Sequence, residues 1–164
     1  MMTAKVDAIY IARDAGAAME YLQEASLMAG RGIEGDRYFS GAGTFSKKLT
    51  GLPDREVTLI EAEEIDRFNA QQGLSLNYGD LRRNIITRGV RLNDLVDREF
   101  RIGSVEFRGI RLCEPCDYLA KMVTAKVLKG MVHRAGLRAC ILTDGMIRES
   151  DPISTMYSKR LTIF

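Results

Sequence analysis

The sequence contains no tryptophan, a single histidine (His133) and only three cysteines. A histidine-based metal cluster or catalytic triad therefore has few residues to draw on. An odd number of cysteines argues against a disulfide framework, and favours metal, sulfur or redox chemistry at any special cysteine. The formal net charge of +2 argues against a general nucleic-acid surface.

Long hydrophobic runs are also lacking. No stretch of about 18 or more apolar residues occurs, so the sequence predicts no membrane span. Residues 1–10 carry Lys5 and Asp7 and lack the apolar core of a signal peptide, which gives the expectation of a cytoplasmic protein. No repeat, low-complexity tract or linker divides the 164 residues, so a single domain over residues 1–164 is expected.

Short β-branched and apolar segments dominate what is present. Strands are predicted at Val6–Ile11, Val57–Ile60, Asn84–Thr87 and Leu137–Thr143. Helices are predicted at Ala62–Gln72, with Gly73 as C-terminal cap, and at Asp117–Lys129, whereas Met19–Met28 suits a short helix or a strand. Many strands and few helices predict a mainly β fold, a β-barrel with a few short helices.

A hairpin over Glu99–Arg108 has the clearest local pattern. Gly103-Ser104 forms a two-residue turn, and apolar residues alternate with charged ones on both sides of it. This register places Ile102 opposite Val105 on one face and opposite charges on the other, at about 0.2–1 kcal/mol for each pair. The second strand is expected to continue to Cys113.

The segment Cys113-Glu114-Pro115-Cys116 follows this hairpin and precedes a predicted helix. A thiolate at a helix N-terminus is stabilised by free N–H groups, which makes Cys116 the more nucleophilic of the two cysteines. Packing of both cysteines as small hydrophobic residues stays open. A zinc site has only Cys140 and His133 to complete it, and a thioredoxin-like dithiol would need a βαβ context that the sequence does not predict.

Two further segments have side chains suited to anions. Arg82-Arg83-Asn84 offers guanidinium forks for a phosphate and an amide for a heteroaromatic edge. Gly32–Arg37 contains two glycines, Gly32 and Gly35, ahead of Asp36 and Arg37, and these allow close approach of backbone to a ligand. Solvated surface arginines and an ordinary tight loop remain the alternatives. Three other arginines are expected to add to a basic pocket: Arg55, Arg88 and Arg91.

The order of these motifs resembles the MOSC domain, the C-terminal domain of molybdenum cofactor sulfurases. The resemblance spans about Val6–Pro152 and rests on Gly-Ile-Glu-Gly-Asp-Arg-Tyr from residue 32, Arg-Glu-Val-Thr-Leu-Ile-Glu from 55, Arg-Arg-Asn-Ile from 82, Phe-Arg-Ile-Gly from 100, Cys-Glu-Pro-Cys from 113 and Gly-Leu-Arg-Ala from 136. It implies a β-barrel that binds a molybdopterin cofactor or carries sulfur destined for it.

The resemblance also implies roles for individual residues. Cys116 matches the cysteine that ligates molybdenum in reductase relatives, and Arg82 matches the arginine that holds the cofactor. The other implied cofactor-binding residues are Asn84, Arg83, Arg37, Asp36 and Cys113. The chain departs from the family at Arg134-Ala135-Gly136, where relatives often have Arg-Gly-Gly, and at Ser150-Asp151, where they often have Gly-Asp.

Two functions follow as expectations. In the first, a molybdenum enzyme reduces small N-oxygenated compounds with electrons from a separate donor protein. In the second, Cys116 is a non-enzymatic sulfur carrier charged by a separate cysteine desulfurase; pyridoxal phosphate enters only through that partner, since no aminotransferase-like domain is seen. A cofactor-binding or assembly module without turnover is a third possibility.

Overall fold

The structure is a computed structural model that describes residues 3–48 and 51–155; the rest of the predicted domain 1–164 lies outside these ranges. Most regular elements are strands. They are β1 (Lys5–Ile11), β2 (Glu20–Leu22), β3 (Glu24–Met28), β4 (Gly32–Ile33), β5 (Val57–Glu61), β6 (Ile85–Arg88), β7 (Glu99–Ile102), β8 (Val105–Leu112), β9 (Leu137–Ile141), β10 (Gly145–Arg148) and β11 (Ile153–Thr155). The helices are α1 (Ala62–Gln72), α2 (Asp117–Met122) and α3 (Val127–Gly130), with 3₁₀ turns at Pro53–Arg55 and Leu92–Leu95.

Eight strands form one curled sheet in the order β11-β7-β8-β9-β5-β6-β1-β2, and β10-β3-β4 form a smaller sheet. The two sides of the curl meet where the Val6 N–H donates to the Asp151 carbonyl and the Ile153 N–H donates to the Ala4 carbonyl, both at 2.9 Å. The predicted mainly β, barrel-like fold with short helices is confirmed. The segment 19–28, for which helix and strand were both open, forms β2 and β3.

The predicted hairpin forms with the predicted register. Ile102 pairs with Val105 and Phe100 with Phe107, whose rings stack with centroids 5.2 Å apart. Gly103 has φ +56°, in the left-handed region that this tight turn requires. β8 then runs to Leu112, so the hairpin carries the chain directly to the cysteine segment.

The helix predictions divide into one success and one error. α1 spans the predicted residues and ends at Gly73, whose φ of +64° gives the left-handed cap. The single helix predicted over Asp117–Lys129 is wrong, because the chain leaves the helix at Val123, with φ −120° and ψ −74°, and starts again as α3. The Thr124 hydroxyl accepts a hydrogen bond from the Lys126 N–H, and this local contact competes with helix continuation.

Two apolar clusters form the core. One fills the inside of the curled sheet and includes Phe100 and Phe107, and the other packs α1, α2 and α3 against the outer face of β5 and β6. Cys116 packs against the second cluster. No helix within the described residues is both long and apolar enough to cross a membrane.

Candidate functional site

The Cys113–Cys116 segment connects β8 to α2, as the sequence predicts. Cys113 is buried, with 2% of its surface exposed, and its N–H donates to the Gly136 carbonyl at 2.8 Å. Cys116 is partly buried and lies at the N-cap of α2 in an extended conformation. α2 has only six residues, so the electrostatic character of the site comes mainly from the side chains around it.

Both cysteines line a narrow cavity of about 50 Å³ that gathers distant parts of the sequence. Four arginines also line it: Arg37, Arg82, Arg83 and Arg138. The other lining residues are Tyr38, Thr44, Phe45, Thr58, Glu114, Tyr118 and Leu119. The glycine-rich loop, the double arginine and the cysteine segment therefore meet at one place, and the cavity combines thiols with a high density of positive charge.

Arg82 shows strain of a kind associated with functional positions. Its φ of +64° lies in the left-handed region, although it is not a glycine. The guanidinium is buried; Nη1 donates to the Ala17 carbonyl at 2.7 Å, whereas Nη2 has no hydrogen-bond partner among the described residues. Burial, followed by the charge of Arg37, lowers the pKa of Arg82. A buried, unsatisfied donor in a cationic wall is suited to an anionic ligand.

Arg83 is used differently from its neighbour. It donates to three backbone carbonyls: Nε to Ala135 at 2.8 Å, Nη2 to Cys113 at 3.1 Å and Nη1 to Leu81 at 3.3 Å. These bonds connect the start of the cysteine segment to the chain just before β9. Arg83 therefore positions Cys113 while its charge contributes to the cavity.

Asp36 and Asn84 lie behind the cavity wall and are not among its lining residues. Asp36 is 1% exposed, and its Oδ1 accepts hydrogen bonds from Arg37 Nη1 and the Ala12 N–H, each at 3.1 Å. The Asn84 Oδ1 accepts bonds from the backbone N–H and the hydroxyl of Thr58, also at 3.1 Å. Both side chains hold Arg37 and β5 in place, and their predicted contact with a cofactor stays a prediction.

Two larger spaces adjoin the narrow cavity. On the far side of Arg82 lies a cleft of about 680 Å³, whose walls include Tyr10, Met19 and the segment 76–80. An outer cavity of about 230 Å³ shares four lining residues with the narrow cavity: Phe45, Glu114, Cys116 and Arg138. Arg82 thus lines both the cleft and the narrow cavity, and Cys116 lines both the narrow and the outer cavity.

Three arginines expected in a basic pocket line none of these three spaces: Arg55, Arg88 and Arg91. Arg88 instead bonds Asp7 at 3.3 Å and the Tyr78 hydroxyl at 2.9 Å. In contrast, sequence reasoning missed Arg138. Its signal is a charged residue within the apolar strand Leu137–Ile141, where a lone arginine needs a polar surrounding.

A protein-only metal cluster is not found in the part of the chain that the structure describes. No three histidine, cysteine, aspartate or glutamate side chains there come together in a way that would hold a metal ion. Cys140 is buried in β9, where burial and the charge of Glu56 raise the pKa of its thiol. His133 contacts Glu114 through its Nδ1 at 2.6 Å. The zinc alternative therefore has no support among residues 3–48 and 51–155.

Comparison with known families identifies the domain. The family model of the MOSC domain matches residues 46–154. The chain belongs to the MOSC domain family. The matched range includes Arg82, Arg83 and both cysteines of the segment, while the loop containing Asp36 and Arg37 precedes it. A comparison with curated proteins gave no match.

Solved structures share the fold of this MOSC protein. The YuaD protein of Bacillus subtilis superposes with a TM-score of 0.80 at 18% identity, covering 94% of this chain and 96% of that one. YiiM from Geobacillus stearothermophilus gives 0.72 at 12% identity, with 93% and 75% covered. YiiM from Escherichia coli gives 0.65 at 18% identity, with 95% and 70% covered. At these identities the likeness concerns the fold alone.

Proposed function

We propose that this MOSC protein binds a molybdenum cofactor and is an oxidoreductase that reduces small N-oxygenated compounds, with Cys116 as the metal ligand. The observation that carries the proposal is the shared cavity of a partly buried thiol, Cys116, and a buried guanidinium, Arg82, with an unsatisfied Nη2. A soft thiolate suits a metal with sulfur ligands, and arginine suits a phosphate.

The described residues fit such a cofactor in chemistry and in space. The 50 Å³ cavity is too small for a pterin, but the 680 Å³ cleft beyond Arg82 is within the usual range for cofactor pockets. Arg82 stands between the two and would hold the phosphate. Cys116 would bind the metal from the narrow end.

The protein's own residues would bind and orient. Arg83 holds the Cys113 carbonyl in place, and the Asp36 carboxylate holds Arg37 against the cavity. Tyr118 and Phe45, whose ring centroids lie 6.0 Å apart, would provide apolar walls beside the thiol. When bound, the cofactor would supply the oxygen-atom transfer and the two-electron change. A separate electron-donor protein would restore the reduced state.

Metal and pterin content tests this function. The wild type, Cys116→Ser and Cys140→Ser are purified from a host that makes the cofactor, and molybdenum is measured by mass spectrometry and pterin by fluorescence. We expect about one molybdenum per chain in the wild type and in Cys140→Ser, whose thiol lies in β9 away from the cavity, and a loss of about tenfold or more in Cys116→Ser. A metal-free wild type would overturn the proposal.

A sulfur carrier is the second candidate, and the position of Cys116 on the outer cavity favours it. A separate cysteine desulfurase that reaches this thiol would transfer sulfane sulfur to it, forming a persulfide. After incubation with a desulfurase and cysteine, intact-mass spectrometry should show one added sulfur atom in the wild type and none in Cys116→Ser. An unchanged wild-type mass would exclude the carrier.

A further inference from the structure

The outer cavity next to Cys116 has a composition that nothing in the proposed function explains. Besides Cys116, its walls are formed by Phe45, Lys48, Arg111, Glu114, Pro115 and Arg138. It shares Phe45, Glu114, Cys116 and Arg138 with the narrow cavity, whereas Lys48, Arg111 and Pro115 line the outer cavity alone. Arg82 does not line the outer cavity, so a ligand there would meet Cys116 without contacting Arg82.

The charges of the outer cavity favour an anion. Three cationic side chains line it against the single carboxylate of Glu114. That carboxylate is engaged by His133, whose N–H donates to Oε1 at 2.7 Å and whose Nδ1 lies 2.6 Å from Oε2. Cavities lined mainly by one sign of charge concentrate ligands of the opposite sign.

The apolar walls favour a flat ligand. The Phe45 ring packs edge-on against Tyr118, with centroids 6.0 Å apart and planes at 80°, so its position is fixed by a second ring. Pro115 adds a rigid apolar surface. A volume of about 230 Å³ is below that of most drug-sized pockets, so the cavity suits a ligand of about one ring.

We propose that the outer cavity is a substrate subsite that selects a small planar anion, namely an N-oxygenated aromatic compound that carries a carboxylate. The carboxylate lies against Lys48, Arg111 and Arg138, and the ring lies against Phe45. The oxygenated nitrogen faces the walls shared with the narrow cavity, where Cys116 would hold the metal. The assignment of an N-oxygenated group rests on the proposed function; the selection of a planar carboxylate rests on the cavity alone.

Charged thiol reagents test the cavity in the cofactor-free protein. Anionic and cationic methanethiosulfonates are reacted with the wild type at low salt, and modification of Cys116 is followed by peptide mass spectrometry, with Cys116→Ser as the blank. We expect the anionic reagent to react about tenfold faster, with the ratio falling as salt is added. Arg111→Gln and Lys48→Gln should each lower the ratio about threefold. Lys129→Gln, on exposed α3 away from the cavity, should leave it unchanged.

A second measurement tests shape as well as charge. Benzoate should slow alkylation of Cys116 by a neutral reagent. Neither benzamide, the uncharged molecule of similar shape, nor acetate, which has the carboxylate but no ring, should slow it. Equal rates for the two thiosulfonates, or equal protection by benzoate and benzamide, would overturn the subsite. A wild type that stays metal-free when purified from a cofactor-producing host, yet shows both preferences, would refute the proposed function and leave the planar-anion subsite supported. A wild type that loads molybdenum in that host, but whose cofactor-free form lacks both preferences, would refute the subsite alone.

Discussion

The strained backbone at Arg82 predicts that a glycine variant is more stable than an alanine variant, which is the reverse of the usual order. At most positions glycine is less stable than alanine by about 0.5–1 kcal/mol, because glycine loses more conformational freedom on folding. Arg82 has φ +64°, and a side chain in the left-handed region costs about 1–2 kcal/mol that glycine avoids. Arg82→Gly should therefore be more stable than Arg82→Ala by about 0.5–1 kcal/mol.

Both variants lose the same side-chain interactions, so their difference isolates the backbone. Each removes the bond from Nη1 to the Ala17 carbonyl, which as a charged hydrogen bond contributes about 1.5–3 kcal/mol. Each also removes the cost of burying the guanidinium near Arg37, which opposes that loss. Arg82→Asn, a residue that tolerates this conformation, should resemble the glycine variant.

Urea unfolding followed by circular dichroism measures the order, with equal m-values required for the comparison. Alanine as stable as glycine at position 82 would refute the strain. The same variants should lose cofactor affinity together by about tenfold or more, since all three lack Nη2. A stability order without any loss of binding would separate the strain from the proposed function.

Three further perturbations test the fold and the site. Burial, followed by the charge of Glu64, raises the pKa of Glu61 from 4.5 to about 6. The folded state therefore binds a proton at this carboxyl more tightly than the unfolded state does. As a result, the free energy of unfolding should fall as pH rises from about 4.5 to 6. Solvent screening limits the change to about 1 kcal/mol, and Glu61→Gln should flatten the urea-unfolding profile over that interval; an unchanged pH profile in the variant would contradict it. Gly136→Ala, at φ +116°, places a Cβ 2.1 Å from a backbone carbonyl oxygen of β5, so calorimetry should show a free energy of unfolding lower by about 3 kcal/mol or more. Gly73→Ala has open space around it and should lower the free energy of unfolding by only about 1–2 kcal/mol. Similar losses in the two variants would contradict the clash. Glu114→Ala removes the bonds to His133. The rate of hydrogen exchange over residues 113–116 should rise, while the free energy of unfolding changes by less than about 1 kcal/mol. An unchanged exchange rate would mean that this contact does not hold the segment.

Local sequence signals predicted the elements that depend on neighbouring residues. The hairpin turn at Gly103 and the cap of α1 at Gly73 are such cases, because a segment of about ten residues determines both the turn geometry and the side-chain alternation. The break after Met122 was missed because apolar spacing continues through it, while the backbone follows a competing bond at Thr124.

The sequence predicted which motifs contribute to the site, but it did not predict the separate roles of the individual side chains. Arg82 and Arg83 are adjacent and identical in type, yet one has an unsatisfied donor and the other binds three carbonyls. Which arginine meets which carbonyl depends on segments more than 30 positions apart along the chain, such as Ala135, and no local pattern contains that information. Arg138 escaped for a similar reason, since its environment is created by other parts of the chain.

The ties that hold Cys113 have a consequence for how its identity can be interpreted. Its N–H donates to the Gly136 carbonyl, and its own carbonyl accepts from Arg83. The residue is therefore held through its backbone, and the sulfur takes no part in these two hydrogen bonds. These two hydrogen bonds do not depend on which side chain occupies position 113, provided that it fits the buried space. Cys113→Ala should therefore leave both backbone hydrogen bonds in place, so that a resulting change in chemistry can be assigned to the sulfur atom.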